Sequence, residues 1–146
     1  MRKKRAAGAA QAPEGREMIN IAIVEDDVGA AEELKQLLTD FLSKKECAFE
    51  IRHFPTADRL LFDYHHEYDL VLLDIEMPGT NGMDAAREIR KTDQTVSIVF
   101  VTNMAHFATA GYSVNASDYI LKPINRYEFN MKMVHIFNRL CRSDGQ

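Results

Sequence analysis

Three short polar clusters, each directly behind an apolar run, hold the side chains in this sequence that could do chemistry. Glu25-Asp26-Asp27 follows IAIV, Asp74 follows DLVLL, and Lys122-Pro123 follows DYIL. Each run reads as a buried parallel strand, so each cluster falls at a strand's C-terminal end. In open α/β sheets that edge is where ligands bind. Three carboxylates and one lysine gathered there make a divalent-metal site with an aspartate, Asp74, available as nucleophile. A carboxylate attacking a phosphoryl donor must overcome repulsion between anions, so the reaction needs cations beside it. Magnesium supplies that cover through hard oxygen ligands while keeping several waters. The chemistry implied is that of a phosphorylation switch.

The elements that must position these clusters alternate along the chain. Ile19–Val24 is a continuous apolar run, and Leu34, Leu37, Leu38 and Phe41 then recur at the spacing of a core-facing helix. Phe49–Phe54 alternates as a half-buried strand. Thr56, after Pro55, is placed to cap a helix that turns Ala57, Leu60, Leu61 and Tyr64 inward. Leu70–Leu73 is a second buried run, followed by the turn cluster Met77-Pro78-Gly79-Thr80-Asn81-Gly82. A short helix is predicted from residue 83 to about 90, a fourth strand over 97–101, a weaker helix from Ala105 to about Val114, and a short strand over 119–121. A last helix puts Phe129, Met133, Ile136, Phe137 and Leu140 on one face. Five strand–helix units predict an α/β domain, a doubly wound parallel sheet covered on both faces.

Composition sets the limits. At 146 residues, with 46% hydrophobic and 27% charged side chains, the chain suits one domain with one core and an ordinary soluble composition. No run reaches the roughly 18 apolar residues of a membrane span. Cys47 and Cys141 stand apart with no CxxC spacing, which fits a reducing cytoplasm and excludes a disulfide framework or zinc site. The first 17 residues hold five cations and two anions, a net +3, and with the whole chain at −4 residues 18–146 carry −7. So acidic a body repels nucleic-acid phosphates, so direct contact with DNA by this domain is not expected, and no membrane contact is either. Residues 1–17 read as a disordered leader or cloning remnant, with a basic tail that touches a partner as the alternative, 18–142 as the domain, and 143–146 as a C-terminal tail.

Taken together, Glu25-Asp26, the segment LLDIEMPGTNG with Asp74, Thr102 behind the fourth strand, and Tyr119 with Lys122-Pro123 occur in one order on successive elements. On these residues the chain resembles the response-regulator receiver domains of two-component signalling over about 18–142. The segment TNMAHFATAGYSVNASDYILKP further resembles the LytTR (LytR/AlgR) family, whose receivers usually precede a DNA-binding output domain of transcription regulators; no such domain follows here. The resemblance implies a flavodoxin-like (βα)₅ fold with strand order 2-1-3-4-5. It implies that Asp26 and Asp74 ligate Mg²⁺ directly, with Glu25 acting through water and the Glu76 backbone carbonyl completing the set. It makes Asp74 the acceptor of a phosphoryl group from a sensor histidine kinase. Lys122 then offers a point charge to the phosphoryl oxygens and Thr102 a hydroxyl donor. Thr102 and Tyr119 form the switch, and the face built by the 105–114 helix, the fifth strand and the fifth helix is the expected homodimer surface. Such a protein is not an enzyme with turnover; it assists its own phosphorylation and dephosphorylation. The X–Pro bond at Lys122-Pro123, where cis costs only about 0.5–1 kcal/mol, is expected to be cis so that the ammonium turns back over the sheet edge.

Other readings compete. Asp74 alone would pass for a strand-end surface acid, Thr102 for a buried hydroxyl bonded to backbone, Lys122 for a solvated lysine and Tyr119 for core packing. Asp27 serves equally well as a helix N-terminal charge or a metal ligand. A degenerate receiver that only binds partners is opposed by the complete acidic pair, Asp74 and Lys122. A magnesium phosphohydrolase of the haloacid-dehalogenase type needs a second aspartate two residues after its nucleophile, where this chain has Glu76. His53, His65, His66, His106 and His135 lie on separate elements without metal-ligand spacing and read as surface or edge residues. Met131 and Met133 read as core. Asn103, where many receivers carry a small residue after the threonine, and Met104 beside it bear on the lifetime of the acyl phosphate.

Overall fold

A computed structural model describes residues 18–142; the expected leader and the 143–146 tail lie outside the described residues. Five strands form one sheet in the order β2-β1-β3-β4-β5, and every neighbouring pair is parallel. β1 (Ile19–Val24), β3 (Leu70–Leu73) and β4 (Ser97–Thr102) are buried at every position. These are the continuous apolar runs, and they lie in the middle because helices cover both faces of a parallel sheet. β2 (Phe49–Phe54) and β5 (Asp118–Leu121), the more mixed sequences, take the edges.

Helix α1 (Val28–Leu42) buries Leu34, Leu37, Leu38 and Phe41. Together with α4 (Arg126–Arg142), which buries Phe129, Met133, Ile136 and Phe137, it closes one face of the sheet. α2 (Ala57–Phe62) and α3 (Gly82–Thr92) close the other through Ala57, Leu60, Met83, Ala86 and Ile89. Each buried Leu, Ile or Phe contributes about 1.5–3 kcal/mol of apolar transfer, which is what holds the helices on the sheet. Polar caps fix where the helices start: Asp27, Thr56 and Asn81 accept from the amides of Ala30, Arg59 and Asp84.

Two expectations fail. The weaker helix over 105–114 is instead two 3₁₀ segments, Ala105–Phe107 and Thr109–Val114. Of their residues only Gly111 and Val114 are buried, so little apolar surface rewards a regular helix. Gly111 and the β-branched Thr109 add poor helix propensity. Asn115, with a left-handed φ of 55°, ends the second segment. Met131 is exposed, two residues from Phe129 and from Met133 and so on the opposite side of α4 from the buried stripe. No helix among the described residues is long and apolar enough to cross a membrane.

Candidate functional site

The C-terminal edge of the sheet brings the three clusters together. Glu25 follows β1, Asp74 follows β3, and Lys122 follows β5. β1 and β3 are adjacent, with Val24 opposite Leu73, so the next residues on both strands meet. Glu25, Asp26 and Asp74 each present a carboxylate oxygen within 4.8 Å of the others. Glu25 is 1% exposed and Asp74 6%, whereas Asp26 faces solvent at the rim. The Lys122 ammonium reaches across from β5 and donates to Glu25 Oε1 at 2.7 Å and Asp74 Oδ2 at 3.0 Å. The Lys122-Pro123 bond behind it is cis, as the sequence led us to expect.

The electrostatics follow from this crowding. Burial pushes the Glu25 carboxyl above the usual range; the Lys122 hydrogen bond and the Asp27 amide oppose that shift, and the Asp74 charge adds to it. For Lys122 burial alone would lower the ammonium's pKa, but its two carboxylate partners outweigh it and the net shift is upward. Three carboxylates and one ammonium, counted as charged, leave the cluster at −2. A donor set made only of carboxylate oxygens with that residual charge fits a hard divalent cation such as Mg²⁺.

Backbone contacts set the exact aim of these groups. Asp74 Oδ1 accepts from the amide of Glu76 at 3.2 Å. The turn after β3 folds so tightly that a Cβ on Gly82 would stand 2.1 Å from the Asp74 carbonyl oxygen, so glycine is required there. Glu25 Oε2 accepts from the amide of Asp27 at 3.1 Å. Asp27 itself turns away to cap α1 through Ala30, which settles its role as a helix-terminal acid rather than a member of the cluster.

Thr102 ends β4, one strand over from Asp74, and is fully buried. Its Oγ1 accepts from the amide of Met104 at 3.3 Å, which leaves the hydroxyl hydrogen to be donated elsewhere. Tyr119 on β5 pairs with Phe100, their ring centroids 5.8 Å apart, and its hydroxyl donates to the Met104 carbonyl. Met104 is therefore held from both sides, by the threonine through its amide and the tyrosine through its carbonyl. Burial raises the Tyr119 pKa, so the hydroxyl remains a donor. Asn103 is exposed and Met104 half-buried at the start of the 3₁₀ stretch.

The histidines are all exposed, but His53 was set aside too readily on sequence grounds. Its Nε2 lies 2.8 Å from the Glu25 carbonyl oxygen, directly behind the acidic turn. Also missed was the polar cluster at the opposite edge of the sheet. There Asp93 accepts from the Tyr64 hydroxyl and the amides of Thr95 and Val96, and Arg90 donates to the carbonyls of Val114, Asn115 and Asp93. No sequence spacing announces it, because its members come from three separate connections.

Comparison with known proteins agrees with this geometry. The family model described as "Response regulator receiver domain" matches residues 21–133. The sensory transduction protein LytR of Staphylococcus epidermidis is 36% identical over 110 residues, covering 74% of this chain and 42% of that protein. LytT of Bacillus subtilis is 31% identical over 124 residues, covering 84% of this chain and 50% of its own length. The chain thus spans about half the length of these relatives. Among solved structures, the response regulatory domain of MrkE from Klebsiella pneumoniae superposes with a TM-score of 0.73 at 28% identity, covering 83% of this chain and 97% of that one. A CheY-like receiver domain protein from Methanospirillum hungatei, at 24% identity and a TM-score of 0.70, covers 87% of this chain and 99% of its own and shares the fold.

Proposed function

The chain belongs to the response regulator receiver domain family, and from that premise we propose that it accepts a phosphoryl group on Asp74 from a sensor histidine kinase. One observation carries this reading: the Asp74 carboxylate stands at the sheet edge among Glu25, Asp26 and the Lys122 ammonium. A carboxylate oxygen of Asp74 attacks phosphorus, forming the acyl phosphate, while the bond to the donor's nitrogen or oxygen breaks and its electron pair leaves with the donor. Lys122 is already directed at Asp74 and can shift its donors onto the incoming phosphoryl oxygens. Thr102 has its hydroxyl hydrogen free to do the same once Asp74 is modified. Mg²⁺, held by Asp26 and Asp74 with Glu25 behind them and the Glu76 carbonyl completing the set, would neutralise the charge that builds up on those oxygens.

In this reading residues 18–142 form the receiver unit of a transcription regulator of the LytR/LytT type whose output is a LytTR DNA-binding domain. The protein acts in the cytoplasm as a phosphoacceptor rather than as an enzyme with turnover. Acetyl phosphate, Mg²⁺ and intact-mass measurement provide the test. Wild type is expected to gain one phosphoryl group, and neither Asp74→Asn nor an EDTA-treated sample should gain any. No gain in wild type would leave only a partner-binding role. Continuous release of phosphate without accumulated label would favour a phosphohydrolase.

A further inference from the structure

The acidic turn is held from behind at a point where the sheet itself lets go. β1 and β2 run in parallel register, Val24 opposite Phe54, and the Glu25 amide continues the ladder by donating to the Phe54 carbonyl at 3.1 Å. In a parallel ladder the Glu25 carbonyl should next accept from the amide of residue 56. The chain leaves the sheet at Pro55, however, and Thr56 becomes the N-cap of α2 with its side chain bound to Arg59. The ring of His53 takes the vacated place, with Nε2 2.8 Å from the Glu25 carbonyl oxygen. A carbonyl can only accept, so Nε2 carries the hydrogen.

We propose that His53 is a positioning residue of the Glu25-Asp26-Asp74 cluster: its Nε2–H bond to the Glu25 carbonyl replaces the missing ladder bond and fixes the turn that aims two of the three carboxylates. This rests on the divalent-metal reading of that cluster. Glu25 is thereby anchored through four separate atoms. Its amide binds Phe54, its carbonyl His53, Oε1 Lys122 and Oε2 the Asp27 amide. Asp26, exposed at the rim, depends on this anchor for its place, since it is the next residue of the same turn. Freeing the Glu25 carbonyl lets the peptide to Asp26 rotate and disperses the preorganised carboxylates. Partners behind metal ligands act in this way elsewhere, and their loss weakens metal binding about 10–100-fold.

The test compares wild type, His53→Leu and His53→Gln by calorimetric titration with Mg²⁺. Glutamine reaches as far as the imidazole Nε2 and keeps a donor; leucine keeps similar bulk without one. His53 is exposed on an edge strand, so both variants are expected to melt with wild type. His53→Leu should bind Mg²⁺ about tenfold more weakly, the low end of that range, and His53→Gln within about twofold of wild type. His53→Leu binding as tightly as wild type, or His53→Gln as weakly as His53→Leu, overturns the proposal. A wild type that binds no Mg²⁺ overturns the metal reading and this proposal together, an outcome visible before any variant is measured.

Discussion

At the scale of single residues, Lys122 does two jobs that oppose each other. Its ammonium compensates two buried carboxylates at 2.7 and 3.0 Å, yet it also offsets charge that would otherwise attract a divalent cation. Removing one partner of a buried ion pair leaves uncompensated charge, at a cost on the order of 3 kcal/mol. Lys122→Ala should therefore lower the unfolding free energy in metal-free buffer by that order, seen as a lower urea midpoint. The same substitution takes the cluster from −2 to −3, so Mg²⁺ should bind more tightly and restore more stability to the variant than to wild type. Denaturation with and without Mg²⁺ checks both effects; equal Mg²⁺ stabilisation of the two proteins would show that the ammonium and the cation do not share the same charges. Asp27, one residue along from Asp26, does nothing of this kind, because its carboxylate is taken up by the α1 cap.

At the scale of elements, α3 connects the two edges of the sheet. Its first residue, Gly82, is pressed against the Asp74 carbonyl, and Arg90 in its last turn holds the carbonyls of Val114 and Asn115 at the end of the 3₁₀ stretch. Asp93 closes the helix and ties it to Tyr64 at 2.7 Å, with His66 Nδ1 a further 3.7 Å neighbour. Burial by itself would raise the Asp93 carboxyl, but hydrogen bonds from Tyr64, Thr95 and Val96 outweigh it, and the net shift is downward. A carboxyl whose folded pKa lies below its unfolded value of about 3.9 stabilises the protein above that value, and the contribution is lost as pH falls through the folded pKa. Wild type should therefore be more stable than Asp93→Asn near neutral pH, and the gap should narrow as pH falls below the unfolded value and through the folded pKa. Urea midpoints of both proteins across that range measure it, and a gap that is constant with pH would refute the depressed pKa.

At the scale of the molecule, the question is how an event at Asp74 reaches a surface. Met104 lies between Thr102 and Tyr119, bonded to both, and it opens the weakly buried 105–114 stretch. A phosphoryl dianion on Asp74 would draw the Thr102 hydroxyl toward it, free the Met104 amide and let Tyr119 move inward. The surface beside this path exposes Tyr112 at 87%, Tyr127 at 74%, and also Leu121 and Met131, apolar side chains on the 3₁₀ stretch, β5 and α4. A shift of a few kcal/mol between two arrangements would be enough to change its contacts. We predict that beryllofluoride, which mimics the phosphoryl group, promotes self-association of wild type but not of Thr102→Ala. Sedimentation velocity of both, with and without the mimic, decides the matter: equal association in all four samples removes the coupling while leaving phosphorylation of Asp74 intact.

The family resemblance supplied the strand order and so the sheet's edges; the sequence alone determined the five strands, three of the helices' buried stripes and the meeting of Glu25, Asp26, Asp74 and Lys122. It could do so because apolar runs report burial directly, and because parallel strands deliver whatever follows them to one edge. The 105–114 stretch escaped it, since an alternation too weak to specify a helix leaves the outcome to neighbours: Arg90 at one end, Tyr119 and Thr102 at the other. Asp27 remained ambiguous because both of its uses need an acid at the same position, and only the direction of the side chain distinguishes them. His53 was invisible for a related reason. Its role depends on the register of β1 against β2, which decides that Pro55 and Thr56 depart where the Glu25 carbonyl still needs a donor. Hydrogen-bond bookkeeping of that kind exists only between strands already paired, so tertiary structure had to supply it.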